Sequence, residues 1–377
     1  MNFDIVEVTD QALLDRFVQF PFELYKNSKS WVPPLRQEEK NYLMEVPKLD
    51  DAIRTKMLLA LDSGQRVLGR IQITINENEI KHFGVKMARF NKFDFIDAPK
   101  ISSALIESSE NWLKSNGIKK IIGPFGYSNL DPAGLLVDGF DETPNAGTIY
   151  NHPYAKAHLL ESGYQPYLDW TEYEFNVPEE IPDKIKTFSA MIKKRYKLHT
   201  TSFKTRKEKE KRSREILDLI DVCYPHLPGF VPLSDVLKEY YFKKYMPLVH
   251  RDYVSLVVDK SDRLIGFGLT IPSYSRALQK AKGSLFPFGF YHLWKANRKN
   301  NRAEMLLIAI HPDYQLKGIT TLIFEQIMEQ YHSIGVTKID SNPQQMENFN
   351  VRNLWKDYDF RMNKKRVCFQ KELQTGT

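Results

Sequence analysis

Apolar and polar positions follow one order of elements along the second half of the chain. Residues 304–310 (EMLLIAI) form a continuous apolar run, which is typical of a buried strand. A polar loop with one glycine follows, and then residues 317–332 carry apolar positions at helical spacing. The surrounding pattern predicts helices at 209–223, 234–246 and 347–357, and strands at 253–259, 264–271, 336–340 and 365–370.

The first half has the same order of elements. The pattern predicts strands near 3–8, 57–62, 66–76 and 167–177, and helices at 11–25, 99–116 and 154–162. The pattern indicates a boundary between the halves at residues 176–184 (NVPEEIPDK), which include two prolines. We therefore predict an α/β protein of the mixed-sheet α+β kind, with tandem domains at 1–178 and 179–377, each a twisted mixed sheet flanked by helices.

The composition indicates a folded protein of the cell interior. The chain has 377 residues, of which 42% are hydrophobic, and this length is enough for two cores. Its two cysteines, Cys223 and Cys368, are far apart and not at metal-ligand spacing, so we expect no metal site and a reducing compartment. The N-terminus has no secretory signal and no apolar run is long enough to span a bilayer, so we expect a cytoplasmic protein. The oligomeric state is open.

The net charge of +7 does not by itself indicate a nucleic-acid partner. Much of the excess lies in residues 193–215, where acids alternate with bases from Glu208 onward, as on a solvated helix face. No helix-turn-helix, zinc finger or RNA-binding signature accompanies the bases, so the sequence does not favour nucleic acid.

The loop between strand 304–310 and the next helix has the features of an anion site. A helix N-terminus presents unpaired N–H groups and a partial positive charge, and a glycine lets the backbone approach a ligand. The loop runs from Gln315 to Thr320 and contains Gly318. It matches neither the Walker pattern nor the dinucleotide fingerprint, and a lone glycine also fits an ordinary turn.

The same loop resembles the acetyl-CoA pyrophosphate loop of the GCN5-related N-acetyltransferase (GNAT) superfamily. That family has an apolar strand, a proline, and then Q/R-x-x-G-x-G/A opening a helix; here Pro312 is the proline and Thr320 replaces the final Gly or Ala. A second segment, ENFNVRNLWKDYDF, is similar to the family's N-x-N-A-x-x-x-Y-x-x-x-G-F motif. In it Asn348 is retained, and Trp355 replaces the tyrosine.

The resemblance implies transfer of an acyl group from acetyl-CoA, or another acyl-CoA, to the amine of a small-molecule or peptide acceptor. It places the cofactor at Ile310, at Asn348 and along the loop itself, which comprises Gln315, Leu316, Lys317, Gly318, Ile319 and Thr320. It also implies an oxyanion donor at the Ile310 N–H. Glu304 is the expected general base, and Tyr358 is the expected substitute for the proton donor that Trp355 cannot be.

The first half resembles a degenerate copy. The segment NHPYAKAHLLESGYQ is similar to the same Asn…Gly-aromatic ending, but RFNKFDFIDA, without a glycine, precedes the helix at 99–116. We therefore predict that this half does not bind CoA.

Three alternatives remain open at this stage. The chain could transfer a long acyl chain, or an aminoacyl group from tRNA, or it could be a non-catalytic CoA-binding module. An aromatic insertion at 273–294 could form the wall of an acceptor or acyl pocket, or it could be a packing bridge between the halves.

Overall fold

The computed structural model describes residues 2–225, 227, 229–345 and 359–374. Its strands are β1 (Phe3–Glu7), β2 (Ile53–Asp62), β3 (Val67–Asn76), β4 (Met87–Phe95), β5 (Lys120–Gly123), β6 (Leu135–Asp138), β7 (Gln165–Asn176), β8 (His199–Thr201), β9 (Val254–Val258), β10 (Leu264–Pro272), β11 (Arg302–Ile310), β12 (Lys338–Asp340), β13 (Gln344–Gln345) and β14 (Phe360–Glu372). Its α-helices are α1 (Gln11–Leu24), α2 (Arg36–Leu49), α3 (Glu77–Phe83), α4 (Pro99–Ser115), α5 (Tyr154–Glu161), α6 (Asp183–Tyr196), α7 (Arg206–Cys223), α8 (Asp235–Tyr245), α9 (Ser275–Ala281), α10 (Gly289–Arg298) and α11 (Ile319–Ile334).

The contacts divide the chain into two compact units that are discontinuous in sequence. Unit 1 comprises Met1–Thr171, Ser275–Leu293 and Asn363–Thr377. Unit 2 comprises Glu172–Tyr274 and Trp294–Met362. The division of the chain at 178/179, into one domain without and one with a phosphate loop, stays a prediction.

Unit 1 is built on a mixed sheet in the order β1-β2-β3-β4-β5-β14. Only the β4–β5 pair is parallel, and the C-terminal strand of the chain completes the sheet by pairing antiparallel with β5. One face buries apolar side chains under α4 and α5. Alternation turns Arg70 to the other face, where it donates to the Phe17 carbonyl of α1 and to Asp94.

The chain's own backbone closes the gap in unit 1 where β4 and β5 separate. The last parallel pair is Arg89 with Ile122, and immediately beyond it the Phe125 N–H donates to the Phe90 carbonyl at 2.9 Å. α4 begins at Pro99, which has no N–H, and the N–H groups of Ile101 and Ser102 donate to the Ala98 carbonyl. The chain's own backbone thus fills this gap in unit 1, and the lack of CoA binding by the first half stays a prediction.

Unit 2 carries the strand–loop–helix segment singled out in the sequence. Its sheet runs from the end of β7 through β12, β11, β10 and β9 to β8, with β11–β12 as the one parallel pair in this order. Helices α6 and α11 cover one face, and α7 covers the other. A capping box fixes the start of α7, because Thr205 and Glu208 each accept from the other's backbone N–H. The predicted helix at 347–357 lies outside the described residues.

Candidate functional site

β11 and β12 of unit 2 separate after a short parallel contact. Their register pairs residues 302–304 with 338–340, and β12 ends there at Asp340. β11 continues to Ile310, and among the described residues no strand pairs with its residues 305–310 on the side away from β10. We call this side of residues 305–310 the open edge.

Backbone groups of Ile308 and Ile310 lie on the open edge. The His311 N–H donates to the Ile265 carbonyl of β10 at 2.8 Å, which fixes the phase of the antiparallel ladder. Because successive residues of a strand direct their N–H and C=O groups to opposite sides, Ile308 and Ile310 direct theirs away from β10. An extended ligand could therefore bond to this edge as a partner strand would.

Side chains, not a strand, contact these carbonyls. The Tyr224 hydroxyl donates to the Ile308 carbonyl at 2.9 Å. The Ile310 carbonyl accepts from the Cys223 thiol at 3.2 Å and from Gln315 Nε2 at 3.1 Å. The C-terminal end of α7 and the loop before α11 thus meet at the open edge.

A β-bulge interrupts β11 next to Glu304. The register with β10 shifts between Leu269 and Thr270, which leaves Leu306 without an opposing residue. A bulged residue is unpaired in the ladder, and its backbone groups are re-aimed. The Leu306 carbonyl accepts from Asn342 Nδ2 at 2.8 Å, on the side of the segment after β12.

The loop before α11 presents a row of unbonded amides. Leu316 and Gly318 both have positive φ, +61° and +79°, around Lys317. Across the described part of the chain, the N–H groups of residues 316–320 donate to no acceptor, whereas the next one, of Thr321, donates to the Gly318 carbonyl. Such turned backbones at a helix start form a concave anion site.

Gly318 is required by both conformation and space. Its φ of +79° is unfavourable for residues with a side chain. A Cβ at this position would lie 2.8 Å from Ile192 Cδ1 and 2.9 Å from Phe188 Cε1. Helix α6, which carries both side chains, therefore packs directly against the loop and fixes its path.

Lys317 adds a cation beside these amides. Its Nζ donates to the Asp313 carbonyl at 2.5 Å and lies 5.1 Å and 5.5 Å from the ring centres of Tyr314 and Tyr196. These contacts hold a positive charge next to the anion site.

Glu304 is buried at the point where β11 and β12 separate. Its side chain is 1% exposed, and its Oε1 accepts from the Ser273 hydroxyl at 2.6 Å. At about 3.3 Å per residue, Ile310 lies about 20 Å along the strand, whereas the bulge at Leu306 lies about 7 Å away. The structure thus places the candidate base near the bulge, and it does not bring Glu304 together with the N–H of Ile310.

Two predicted site residues, Asn348 and Tyr358, lie outside the described residues. Tyr224, which the sequence analysis did not single out, contributes a hydroxyl to the open edge instead. Burial raises the pKa of Tyr224 well above its usual value, so this hydroxyl stays protonated at neutral pH. Burial likewise raises the pKa of the neighbouring Cys223 thiol to about 11, which keeps it from acting as a nucleophile. Only the folded chain reveals Tyr224, because the contact joins positions distant in sequence.

An ion network ties the strands together below the open edge. Arg302 on β11 donates to Asp340 on β12 and to Glu174 on β7, and Arg361 lies 3.1 Å from Glu174. Burial alone would raise the pKa of Glu174, but the hydrogen bonds and charges of Arg302 and Arg361 outweigh it and lower that pKa to about 2. The network fixes the base of the gap.

A family model described as the acetyltransferase (GNAT) family matches residues 214–360, which include the open edge and the loop. Over its whole length, the chain also superposes on a tandem GNAT protein from the clavulanic acid biosynthesis pathway, with a TM-score of 0.58, 11% identity and full coverage of both chains. Residues 214–360 therefore carry a GNAT-family domain, and the chain as a whole has the fold of a tandem GNAT protein. The predicted α/β fold class and the tandem GNAT organisation are therefore confirmed.

Other similar proteins extend the comparison. A glucosamine N-acetyltransferase region of a fungal β-N-acetylglucosaminidase gives a TM-score of 0.60 at 12% identity, covering 98% of this chain and 38% of that one. Protein YghO of Escherichia coli K12 is 28% identical over 319 residues, which are 84% of this chain and 80% of that protein. The bacterial ceramide synthase of Caulobacter vibrioides is 24% identical over 332 residues, which are 83% of this chain and 82% of that protein.

The GNAT-family domain at residues 214–360 supports acyl transfer in general, with an acyl-CoA as co-substrate. Across the described residues no helix is both long and apolar enough to cross a bilayer. Within the same ranges no group of three or more His, Cys, Asp or Glu side chains is placed to hold a metal ion.

Proposed function

We propose that the protein is an acyl-CoA-dependent N-acyltransferase that moves an acyl group directly from the thioester to an amine. The observation that carries this proposal is the row of unbonded amides at residues 316–320, which adjoins the open edge of β11 within unit 2. The amides suit a pyrophosphate, and the edge suits the amide-bearing arm of CoA. CoA carries both the pyrophosphate and the amide-bearing arm.

The cofactor follows β11 in this proposal. The pyrophosphate lies on residues 316–320 beside Lys317, and the arm runs along Ile310 and Ile308 toward the bulge. The thioester then lies near Leu306, about two residues from Glu304. The arm's polar groups compete with Tyr224, Cys223 and Gln315 for the edge carbonyls, so these side chains shift when the cofactor binds.

Chemistry at this position needs a base, an oxyanion donor and an acid. Glu304 takes a proton from the ammonium form of the acceptor, directly or through one water, and the free amine attacks the thioester carbonyl. Unpaired backbone amides around the Leu306 bulge stabilise the tetrahedral oxyanion. As the C–N bond forms and the C–S bond breaks, the Tyr224 hydroxyl supplies a proton to the departing thiolate, and the second proton of the attacking nitrogen passes through water to restore that hydroxyl.

There are two candidates for the acyl group that is transferred. The sequence alone favours an acetyl group. A ceramide is the amide of a long-chain amine with a fatty acid, so the similarity to the bacterial ceramide synthase favours a second candidate, transfer of a long acyl chain to a lipid amine.

Two measurements test the proposal in sequence. Thermal melting with CoA comes first: a ligand that binds only the native state, at 100 times its Kd, stabilises it by about 2.7 kcal/mol. Release of free CoA thiol is then followed with thioesters from acetyl to palmitoyl and a panel of amines. Absence of any stabilisation by CoA or acyl-CoA contradicts the proposal. Stabilisation without turnover on any pair supports the non-catalytic alternative instead.

A further inference from the structure

The segment that joins α9 to α10 exposes an unusual number of large apolar side chains. Phe286 is 78% exposed and Phe288 is 70% exposed, on either side of Pro287. We call residues 285–294 the aromatic tip; its other exposed members are Leu285, Phe290, Tyr291 and Trp294. These rings are not packed in the core.

The segment just before the aromatic tip is held by contacts within unit 1. Gln279 Nε2 donates to the Trp31 carbonyl at 3.1 Å, and the Arg36 N–H donates to the Gly283 carbonyl at 3.0 Å. Gly283 has φ +78°, and a Cβ there would lie 2.2 Å from the Phe22 ring. The segment is therefore held at its base, and the exposure of its rings is imposed by the fold.

Helix α10 presents its apolar side chains outward. Phe290, Tyr291 and Trp294 recur at three- to four-residue spacing, and all three are exposed. A surface helix of a globular protein ordinarily turns such a stripe inward. One turn further on, the Arg298 guanidinium lies 5.5 Å from the Trp294 ring centre, so a cation borders the rings.

The charged residues of the segment that contains the aromatic tip have one sign. Residues 273–303 contain no Asp or Glu. The exposed bases of this stretch are Arg276, Lys280, Lys282, Lys295, Arg298 and Lys299. They flank the rings and are not interleaved with them, because residues 283–294 include neither Lys nor Arg.

We propose that this surface docks on an anionic lipid bilayer. The rings of the aromatic tip enter the boundary between headgroups and acyl chains, and the flanking bases lie against the lipid phosphates. The segregation of rings from bases favours a bilayer over nucleic acid, because a single-strand groove sets aromatic platforms along a basic track that follows the backbone. The inference goes beyond acyl transfer and needs neither CoA nor an amine.

Vesicle flotation with the full chain tests the proposal, using phosphatidylcholine alone and phosphatidylcholine with phosphatidylglycerol. We expect binding to the anionic vesicles, weaker at high salt because ions screen the bases. Phe286→Ser with Phe288→Ser should lower the partition coefficient at least about tenfold, because each buried ring contributes strongly. The matched control is Phe83→Ser, which removes an exposed ring on α3 and should change nothing.

A charge series complements the ring variants. Lys295→Glu with Lys299→Glu should lower the partition coefficient about fivefold or more for each position, because each base near an anionic surface contributes roughly 1 kcal/mol. Lys260→Glu, at an exposed turn after β9, is the matched control and should bind as the wild type does. With brominated lipids, Trp294→Phe should remove most of the vesicle-induced fluorescence quenching.

Three results would overturn the proposal. The first is no partition into anionic vesicles by a chain that melts cooperatively. The second is an equal loss in the tip variants and their controls. The third is that single-stranded DNA, used as a probe, binds more tightly than vesicles and loses affinity with the same ring variants, which would make the aromatic tip a nucleic-acid surface.

Discussion

Glu304 and Tyr224 are the two side chains on which the proposed chemistry depends. Glu304 is the last residue of β11 that pairs with β12, and Tyr224 contacts the open edge from the end of α7. They differ in what the sequence could reveal. A carboxylate at the start of an apolar strand is visible in the sequence, whereas a tyrosine contact between α7 and β11 exists only in the folded chain.

Replacement of Glu304 by Gln should separate chemistry from binding. Glutamine still accepts from the Ser273 hydroxyl, so the fold should be unchanged and the affinity for CoA should stay within about twofold. At neutral pH, kcat should fall by roughly a hundredfold. Near pH 10 the acceptor amine loses its own proton, so much of the activity should return. The measurement is a pH profile of kcat together with the Kd for CoA.

Tyr224→Phe is the comparison variant for that profile. It should also lower kcat, but its activity should not return near pH 10, because the missing group is an acid. If Glu304→Gln is fully active at neutral pH, Glu304 is not the base; if its loss is the same at every pH, its role is structural.

Much of the site at residue scale followed from the sequence. The glycine and the helix start were predicted, because an anion loop needs only a local pattern. The positive φ of Leu316 could not be predicted, because a leucine rarely adopts it. The support of Gly318 by Phe188 and Ile192 could not be predicted either, because it depends on the packing of α6. Cofactor binding stays a prediction, which calorimetry can test, for Gln315, Leu316, Lys317, Ile319 and Thr320.

Among the elements, the ion network at the base of the gap is the most sensitive to pH. Glu174 has a folded-state pKa of about 2 against a usual 4.5, so its contribution is complete above about pH 4.5 and is lost as the pH falls toward 2. That difference corresponds to roughly 3 kcal/mol.

Glu174→Gln should remove this pH dependence. The wild type should exceed the variant in free energy of unfolding at pH 6, and the difference should shrink by roughly 3 kcal/mol between pH 4.5 and pH 2. Urea unfolding across that range measures it. A difference that is constant with pH would show that the ion pairs with Arg302 and Arg361 do not depress the pKa of Glu174.

Elements with clear periodicity were predicted closely, and those without it were missed. β11 and α11 lie within two residues of their predicted bounds at each end. β4 was missed because Arg89 and Asp94 interrupt its apolar pattern; both are buried in ion pairs, with Glu79 and Arg70, that no local pattern encodes. α6 was taken for a linker and basic tract, although Ile192 packs into the core of unit 2.

At the scale of the whole molecule, unit 1 takes a strand from a distant part of the chain. Its sheet is completed by residues 363–372, whereas unit 2 begins at Glu172 and pairs residues 174–176 with β12. Tandem repetition was visible in the sequence, but this assignment of strands was not, because a strand's own pattern does not name its partner.

A fragment of residues 1–178 should therefore not melt cooperatively, because the edge of β5 lacks its partner. The matched comparison is the same fragment with residues 360–374 attached through a flexible linker, which should regain a cooperative transition. Differential scanning calorimetry distinguishes the two. If the bare fragment melts as sharply as the extended one, the C-terminal strand is dispensable for unit 1.

Calorimetric titration of the full chain with CoA is the most direct test of the central claim, that the amides before α11 hold the cofactor's pyrophosphate. The wild type and Thr320→Ala should each bind one CoA per chain. Thr320→Glu puts a carboxylate at the anion site, so the variant should bind CoA at least about thirtyfold more weakly than the wild type. Because a carboxylate also stabilises a helix N-terminus, the variant should melt no lower than the wild type. Undiminished affinity in Thr320→Glu, or two CoA molecules per wild-type chain, would contradict the account.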